Sequence, residues 1–397
     1  MPTPQPRKAN AATNRKVIQK CLKGFRSNKG EAGSAGLDSG GALPGTKVST
    51  HTTPSGTRYQ LVRSSSAPTY SSCLSEGSAP RTPEQRPSSI VVYVFGGGFV
   101  AGSPRQYLPL TSQLAKSGCW VAVPYYSLST PYPTPMNQVL AVAKHLRSVY
   151  GKEGNSDKLR IMVGGDSAGG TIACGAALKA PELFDGLFLY SPWLDLGSDL
   201  ATYRSRAFAA AQNTGDPIFT TPAAVNMASS QKLALNYLGR KSQLRNPIAN
   251  PIRAGPALLR KLPPVLIFVG DRETILGGSE RFIAKLQEVG RVKDALQVYS
   301  GMWHVFPMYS QGCGAGARLA QADAAISQTK KFIVGACGGG VDMPAELSPQ
   351  RLTSVDARLV LLPLANVGLG RGSGATRRRG RHQVGRKRGS LTRRKRG

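Results

Sequence analysis

The chain has 397 residues, with 52 Lys and Arg against 21 Asp and Glu, a formal charge of +31. Its 46 Gly and 28 Pro lie above average usage but below the share of low-complexity chains, and 40% hydrophobic residues suffice for one large core, which excludes collagen-like and wholly low-complexity chains. Residues 1–30 carry eight basic residues and residues 371–397 carry twelve, neither with an acid, so the 340 residues between them hold 32 basic against 21 acidic residues and are only moderately basic.

Residues 1–44 are rich in Gly, Ser, Ala and Lys, but Val17 or Ile18, Cys21, Leu22 and Phe25 recur at helical spacing. With Arg15, Lys16, Lys20, Lys23 and Arg26 on the other face, this stretch reads as a helix that lids the domain. An Arg-rich, acid-free N-terminus also suits a mitochondrial transit peptide. Two β-like runs, 45–51 and 57–63, meet through Pro54-Ser55-Gly56, a turn composition that predicts a hairpin. Residues 64–88 form a Ser/Pro-rich connection.

From residue 89 short apolar runs alternate with helical patterns. Strands are expected at 90–94, 119–123, 159–163, 183–190, 265–269 and 296–299, and helices near 105–117, 134–150, 167–179, 279–289 and 316–334. Such alternation predicts an α/β fold, a mostly parallel sheet covered by helices on both faces. Residues 196–260 break the alternation and read as a helical cap insertion over the carboxyl edge of the sheet, where substrates of such folds enter. The domain is therefore expected over 45–335, with 336–397 a disordered Arg/Gly-rich tail. Clusters such as Arg377-Arg378-Arg379 and Arg393-Arg394-Lys395-Arg396 would suit nuclear localisation or contact with nucleic acid or an anionic surface, and equally a solvated appendage.

The six cysteines show no C-x-x-C pair and no metal-type spacing with histidine, which argues against a disulfide scaffold and a structural zinc. No apolar run approaches the roughly 18–20 residues that span a bilayer. The expectation is an intracellular protein, cytoplasmic by default, with nuclear and mitochondrial locations open, and without metal or cofactor.

Chemistry concentrates at Gly164-Gly165-Asp166-Ser167-Ala168-Gly169-Gly170, placed between an expected strand and an expected helix. This is a G-x-S-x-G elbow in the context it requires: the small flanking residues let backbones approach, and the serine projects from the top of the sheet. The Ala168 amide, at the helix start, is a candidate oxyanion donor. A second loop, Phe95-Gly96-Gly97-Gly98-Phe99, also follows a strand and leaves backbone amides unobstructed to converge on the serine. A serine nucleophile needs a base. His51 lies in the hairpin, His145 lies off the apolar stripe of its helix and His382 lies in the tail, which leaves His304, in a loop after the strand at 296–299. The acid that orients it must come from the loop after 265–269, where Asp271 and Glu273 are both placed for the role.

These residues resemble the hormone-sensitive-lipase group of α/β-hydrolase esterases, whose H-G-G-G-F loop, G-D-S-A-G-G elbow, P-P-x-L strand and following histidine read here as FGGGF, GDSAGG, Pro263-Pro264-Val265-Leu266 and His304. The separations are 72 residues from Phe95 to Ser167, 106 on to Glu273 and 31 on to His304. The resemblance covers about 45–335 and takes in Tyr126-Ser127-Leu128 and Ser191-Pro192-Trp193-Leu194. It implies an α/β-hydrolase fold, favours Glu273 over Asp271 as the acid, and carries the oxyanion role onto Gly97, Gly98 and Ala168. Two features depart from the pattern. Phe95 stands where the family has a loop-orienting histidine, as in fungal members similar to steryl acetyl hydrolases, and the stretch after Tyr126 lacks the usual acidic pattern.

The function expected on this basis is hydrolysis of a small or short-acyl carboxylic ester through an acyl-enzyme. An amidase or peptidase of the same fold, or a non-catalytic binding protein built on it, is the alternative.

Overall fold

A computed structural model of the chain describes residues 11–27, 41–65, 87–151, 159–205, 215–218, 223–311, 313 and 317–335. Chain order runs α1 (Ala11–Ser27), β1 (Thr46–Thr52), β2 (Arg58–Ser64), β3 (Ser89–Val94), α2 (Leu108–Ala115), β4 (Trp120–Pro124), α3 (Thr134–Tyr150), β5 (Arg160–Asp166) and α4 (Ser167–Lys179). It continues with β6 (Gly186–Tyr190), α5 (Thr202–Ser205), α6 (Ala223–Leu238), α7 (Pro256–Leu259), β7 (Val265–Gly270), α8 (Leu276–Glu288), β8 (Ala295–Tyr299) and α9 (Ala320–Gly335).

Among the described residues the strands form one eight-stranded sheet in the order β1-β2-β4-β3-β5-β6-β7-β8. The β1–β2 hairpin joins antiparallel through β2, and β4 to β8 run parallel. Its turn closes where the Gly56 amide donates to the Thr53 carbonyl at 2.9 Å, with Gly56 at φ 84 in the left-handed region that a side chain disfavours. Every residue of β3, β4, β6 and β7 is buried. Since consecutive strand residues face opposite sides, that pattern requires cover on both faces of the sheet.

The covering helices follow the same logic. Helix α3 buries Met136, Val139, Leu140, Ala143 and Leu146, a stripe at helical spacing, and opens with Pro135 in its first turn, where a missing amide costs no hydrogen bond. Helix α4 is buried all along Ala168–Leu178 and is rich in Gly and Ala, as a helix enclosed on every side must be. The parallel register brings Val94 opposite Gly165, so the loop after β3 and the elbow after β5 leave adjacent strand ends. That adjacency was expected from the sequence.

Three local differences have simple causes. The strand expected from 183 begins at Gly186, because Pro181–Leu183 forms a 3-10 turn. The helix expected from 105 likewise opens with a 3-10 turn at Pro104–Tyr107. The third concerns the cysteines, whose scattered positions argue against a disulfide scaffold: Cys21 and Cys313 form a disulfide across 292 residues of sequence. A bond made by tertiary packing has no spacing signature, and it removes the lack of a disulfide pattern as a reason to expect an intracellular protein. Cys119 and Cys174 are buried thiols.

The disulfide fastens α1 to the segment that follows His304. Val17 and Cys21 are the buried positions of the stripe. The Asn14 carbonyl oxygen accepts the Ala320 amide at 2.9 Å and its amide group donates to Gln321 at 2.9 Å, which caps the open end of α9. Among the described residues no helix is long and apolar enough to cross a membrane. The expectations for 336–397 lie outside the described residues.

Candidate active site

Strand β5 runs to Asp166 and α4 begins at Ser167, so no loop separates them and the turn must be made within one residue. Ser167 makes it at φ 50, a left-handed conformation that a non-glycine side chain adopts only when its surroundings hold it there. They do. The Ser167 amide donates to the Ser191 carbonyl at 3.2 Å and its carbonyl accepts the Trp193 amide at 2.9 Å, tying the elbow to the end of β6. The flanking glycines are obligatory: a Cβ on Gly165 would lie 2.7 Å from the Val94 carbonyl oxygen, and one on Gly169 would strike the Val94 and Phe95 carbonyls.

The side chains at the strand ends then form a chain. Ser167 Oγ is 3.0 Å from His304 Nε2, and His304 Nδ1 is 3.0 Å from Glu273 Oε2. Glu273 is fully buried and accepts two further hydrogen bonds on Oε1, from the Ser191 hydroxyl at 2.7 Å and the Gly270 amide at 2.5 Å. Ser191 Oγ also accepts the Val305 amide at 2.9 Å. Burial by itself would lower the His304 pKa. The Glu273 hydrogen bond, with the charges of Glu273, Asp216 and Asp166, outweighs it and holds the imidazole above its ordinary value of 6.5.

Of the two carboxylates open in the sequence, the structure brings Glu273 to the imidazole. Asp271 instead accepts the Gly301 amide at 2.8 Å while its own amide donates to the Tyr299 carbonyl, stapling the loop after β7 to the end of β8. His51 pairs with Ser49 and stacks on Tyr59, and His145 packs edge-on against the same ring, so neither stands in the chain of contacts.

The glycine loop abuts the serine, since a Cβ on Gly96 would lie 3.0 Å from Ser167 Cβ. Gly97 and Gly98 take φ of 114 and 62, and Ala168 stands in the first turn of α4, where amides have no acceptor within the helix. Phe95, in place of a histidine, stacks on Tyr126 at 4.3 Å, and the Tyr126 hydroxyl donates to the Phe95 carbonyl at 2.8 Å. Beneath the loop, Asp166 accepts from the Tyr93 and Tyr107 hydroxyls, both at 2.9 Å, and from the Gly96 amide at 3.1 Å. Burial pushes the Asp166 carboxyl up to about 6 against those hydrogen bonds, which lower it. Helix α6 lies over the same loop: Tyr237 stacks on Phe99 at 4.2 Å, and a Cβ on Gly98 would lie 3.3 Å from Leu233.

Sequence reasoning missed Tyr93, Tyr107, Ser191 as a bridging hydroxyl, and Asp216. Ser191 had one available signal, its place in the Ser191-Pro192-Trp193-Leu194 run. Among the described residues no cluster of three or more His, Cys, Asp or Glu could hold a metal ion.

An arrangement of hydroxyl, imidazole and carboxylate beside unobstructed amides can carry out acyl transfer. Over 232 residues the chain is 29% identical to an esterase of Acinetobacter venetianus, covering 56% of this chain and 69% of that protein. It is 25% identical over 255 residues to an acetyl-hydrolase of Streptomyces hygroscopicus, covering 62% and 78%. Among solved structures, an esterase of the bacterial hormone-sensitive lipase family superposes with a TM-score of 0.61 at 23% identity, covering 83% of this chain and 100% of that one. The esterase EstE5, soaked with p-nitrophenyl butyrate, gives 0.61 at 22%, covering 81% and 98%. At those identities the two structures share the fold. Residues 91–308, more than half of the chain, match the family described as alpha/beta hydrolase fold, and the chain belongs to that family.

Proposed function

We propose that this protein is a serine carboxylesterase that hydrolyses small or short-acyl esters through an acyl-enzyme. Ester hydrolysis in general is supported by the family and by the esterases and acetyl-hydrolase it is similar to. The observation that carries the finer reading is the continuous path Ser167–His304–Glu273, with 3.0 Å at both links.

In this reading Ser167 Oγ attacks the ester carbonyl while His304 Nε2 takes its proton. The imidazolium that forms is balanced by Glu273, which also fixes the tautomer by accepting from Nδ1. The carbonyl oxygen gains charge beside the Gly97, Gly98 and Ala168 amides, whose positions are set before substrate arrives and so need no reorganisation. His304 then protonates the leaving alkoxide, an acyl-Ser167 ester remains, and a water activated by His304 releases the acid and restores the serine.

Short acyl chains are favoured by the crowding of Leu233 against Gly98 and of Tyr237 against Phe99 over the glycine loop. The body at 45–335, with 196–260 as its cap, is the unit we assign to this activity. The reading is tested by supplying p-nitrophenyl esters of increasing acyl length to the full chain. Turnover highest for acetate and butyrate supports it, and turnover rising toward long chains contradicts the short-acyl assignment.

A further inference from the structure

A buried carboxylate outside the proposed triad stands against the residues that form it. Asp216 is fully buried, in the insertion between β6 and β7. Its Oδ2 accepts the amide of Thr274 at 3.0 Å and lies 3.5 Å from the Thr274 hydroxyl, while Oδ1 accepts the Ile218 amide at 3.0 Å. On the other side of Glu273, Arg272 Nε donates to the Gly215 carbonyl at 2.9 Å. The insertion therefore grips the acid loop through both neighbours of Glu273, and it places a second carboxylate beside the first.

Two carboxylates close together in a buried site repel each other unless a positive charge lies between them. One positive charge at this pair is the imidazolium: His304 acts on Asp216 as a stabilising charge, and Asp216 acts on His304 in return. We propose that Asp216 is a second positioning carboxylate, supplied by the insertion, which stabilises the protonated state of His304 together with Glu273. This rests on the serine-esterase reading for its catalytic consequence, but the coupling of the two groups exists whether or not the protein turns over.

The surroundings are consistent with that role. His304 is faced by Glu273 from the loop after β7, by Asp166 from the end of β5 and by Asp216 from the insertion. Asp216 is faced by His304, by Glu273 and by the Tyr309 hydroxyl, with Arg272 bound to the adjoining carbonyl. Burial pushes the Asp216 carboxyl up to about 6, against the lowering charge of His304, so its carboxylate form dominates from pH 7 upward.

The test has two arms on the full chain. In the first, kcat/KM is measured against pH for the wild type, Asp216→Asn and Asp216→Glu. Removing the charge should move the acidic limb of Asp216→Asn to lower pH by about half a unit to one unit, and Asp216→Glu, which keeps the charge, should return it toward the wild type. A folded Asp216→Asn whose activity falls with the limb unmoved would reduce Asp216 to a clamp on the acid loop and overturn the proposal. The second arm needs no substitution at Asp216 and no activity. Carboxyl carbon NMR follows the Asp216 titration in the wild type and in His304→Gln, and reciprocity requires its midpoint to rise when the imidazolium is removed. An unchanged midpoint overturns the coupling. A wild type without esterase activity but with a shifted midpoint would refute the functional reading and leave the coupling in place.

Discussion

The Ser191 hydroxyl donates to Glu273 at 2.7 Å and accepts the Val305 amide at 2.9 Å, so a single side chain ties the acid to the backbone next to His304. Ser191 holds this position at φ 46, with its own amide bound to the Phe268 carbonyl on β7 at 2.7 Å. Three strand ends, β5, β6 and β7, are thereby registered on one hydroxyl and one strained turn.

Removing that hydroxyl is expected to loosen the acid without unfolding the sheet. A hydrogen bond to a charged group contributes about 1.5–3 kcal/mol. Ser191→Ala should therefore lower kcat/KM by roughly ten- to a hundred-fold, with most of the change in kcat. Steady-state kinetics with p-nitrophenyl acetate measures it, and an unchanged kcat would show that the bridge is ornamental to catalysis.

The two acids make an internal comparison. Glu273→Gln should reduce kcat toward the roughly 10⁴-fold loss that follows when a triad carboxylate becomes an amide. Asp271→Asn should leave kcat nearly unchanged and lower stability by about 1 kcal/mol through the weakened bond to Gly301. Kinetics and urea unfolding on both variants distinguish the roles, and the reverse ranking would transfer the acid to Asp271.

The pH dependence follows from the sign of the His304 shift. Neutral imidazole is needed to accept the serine proton, so activity is lost as pH falls through the His304 pKa. Because Glu273, Asp216 and Asp166 hold that pKa above 6.5, the acidic limb of kcat/KM should lie above 6.5. In the linkage direction, protonated His304 contributes stability that is fully present below about 6.5 and disappears as pH rises through the folded-state value. A limb at or below 6.5 in the wild type would contradict the electrostatics described for the site.

The disulfide closes a loop of nearly the whole domain, and its removal acts on the unfolded chain. Cys21→Ser or reduction should cost about 2–4 kcal/mol of stability. Denaturant unfolding with and without reductant measures this, while activity under native conditions should persist because neither cysteine stands among the proposed catalytic groups. Equal midpoints in the two conditions would mean that α1 is held by packing and by Asn14 alone.

The fold was legible where local signals and tertiary placement coincide. The hairpin at Pro54-Ser55-Gly56, α3 and the elbow at Ser167 were readable because each is made by residues adjacent in sequence. His304 was reached by elimination among four histidines. What could not be read depends on partners far apart in the chain. Asp271 and Glu273 leave the same strand end, and only the three-dimensional turn of the loop sends one into the core and the other to Gly301. The Cys21–Cys313 bond, the Tyr93 and Tyr107 hydroxyls on Asp166, and Asp216 behind the acid loop are likewise invisible to periodicity. No local propensity records which buried carboxylate meets which donor.

The central claim is that Ser167 is the nucleophile of an acyl-transfer site. The most direct measurement is intact-mass spectrometry of the full chain after reaction with a fluorophosphonate, followed by peptide mapping. The account predicts one adduct, on Ser167, formed with loss of esterase activity and absent from Ser167→Ala. A folded wild type that remains unlabelled, or one labelled equally after Ser167→Ala, would contradict it.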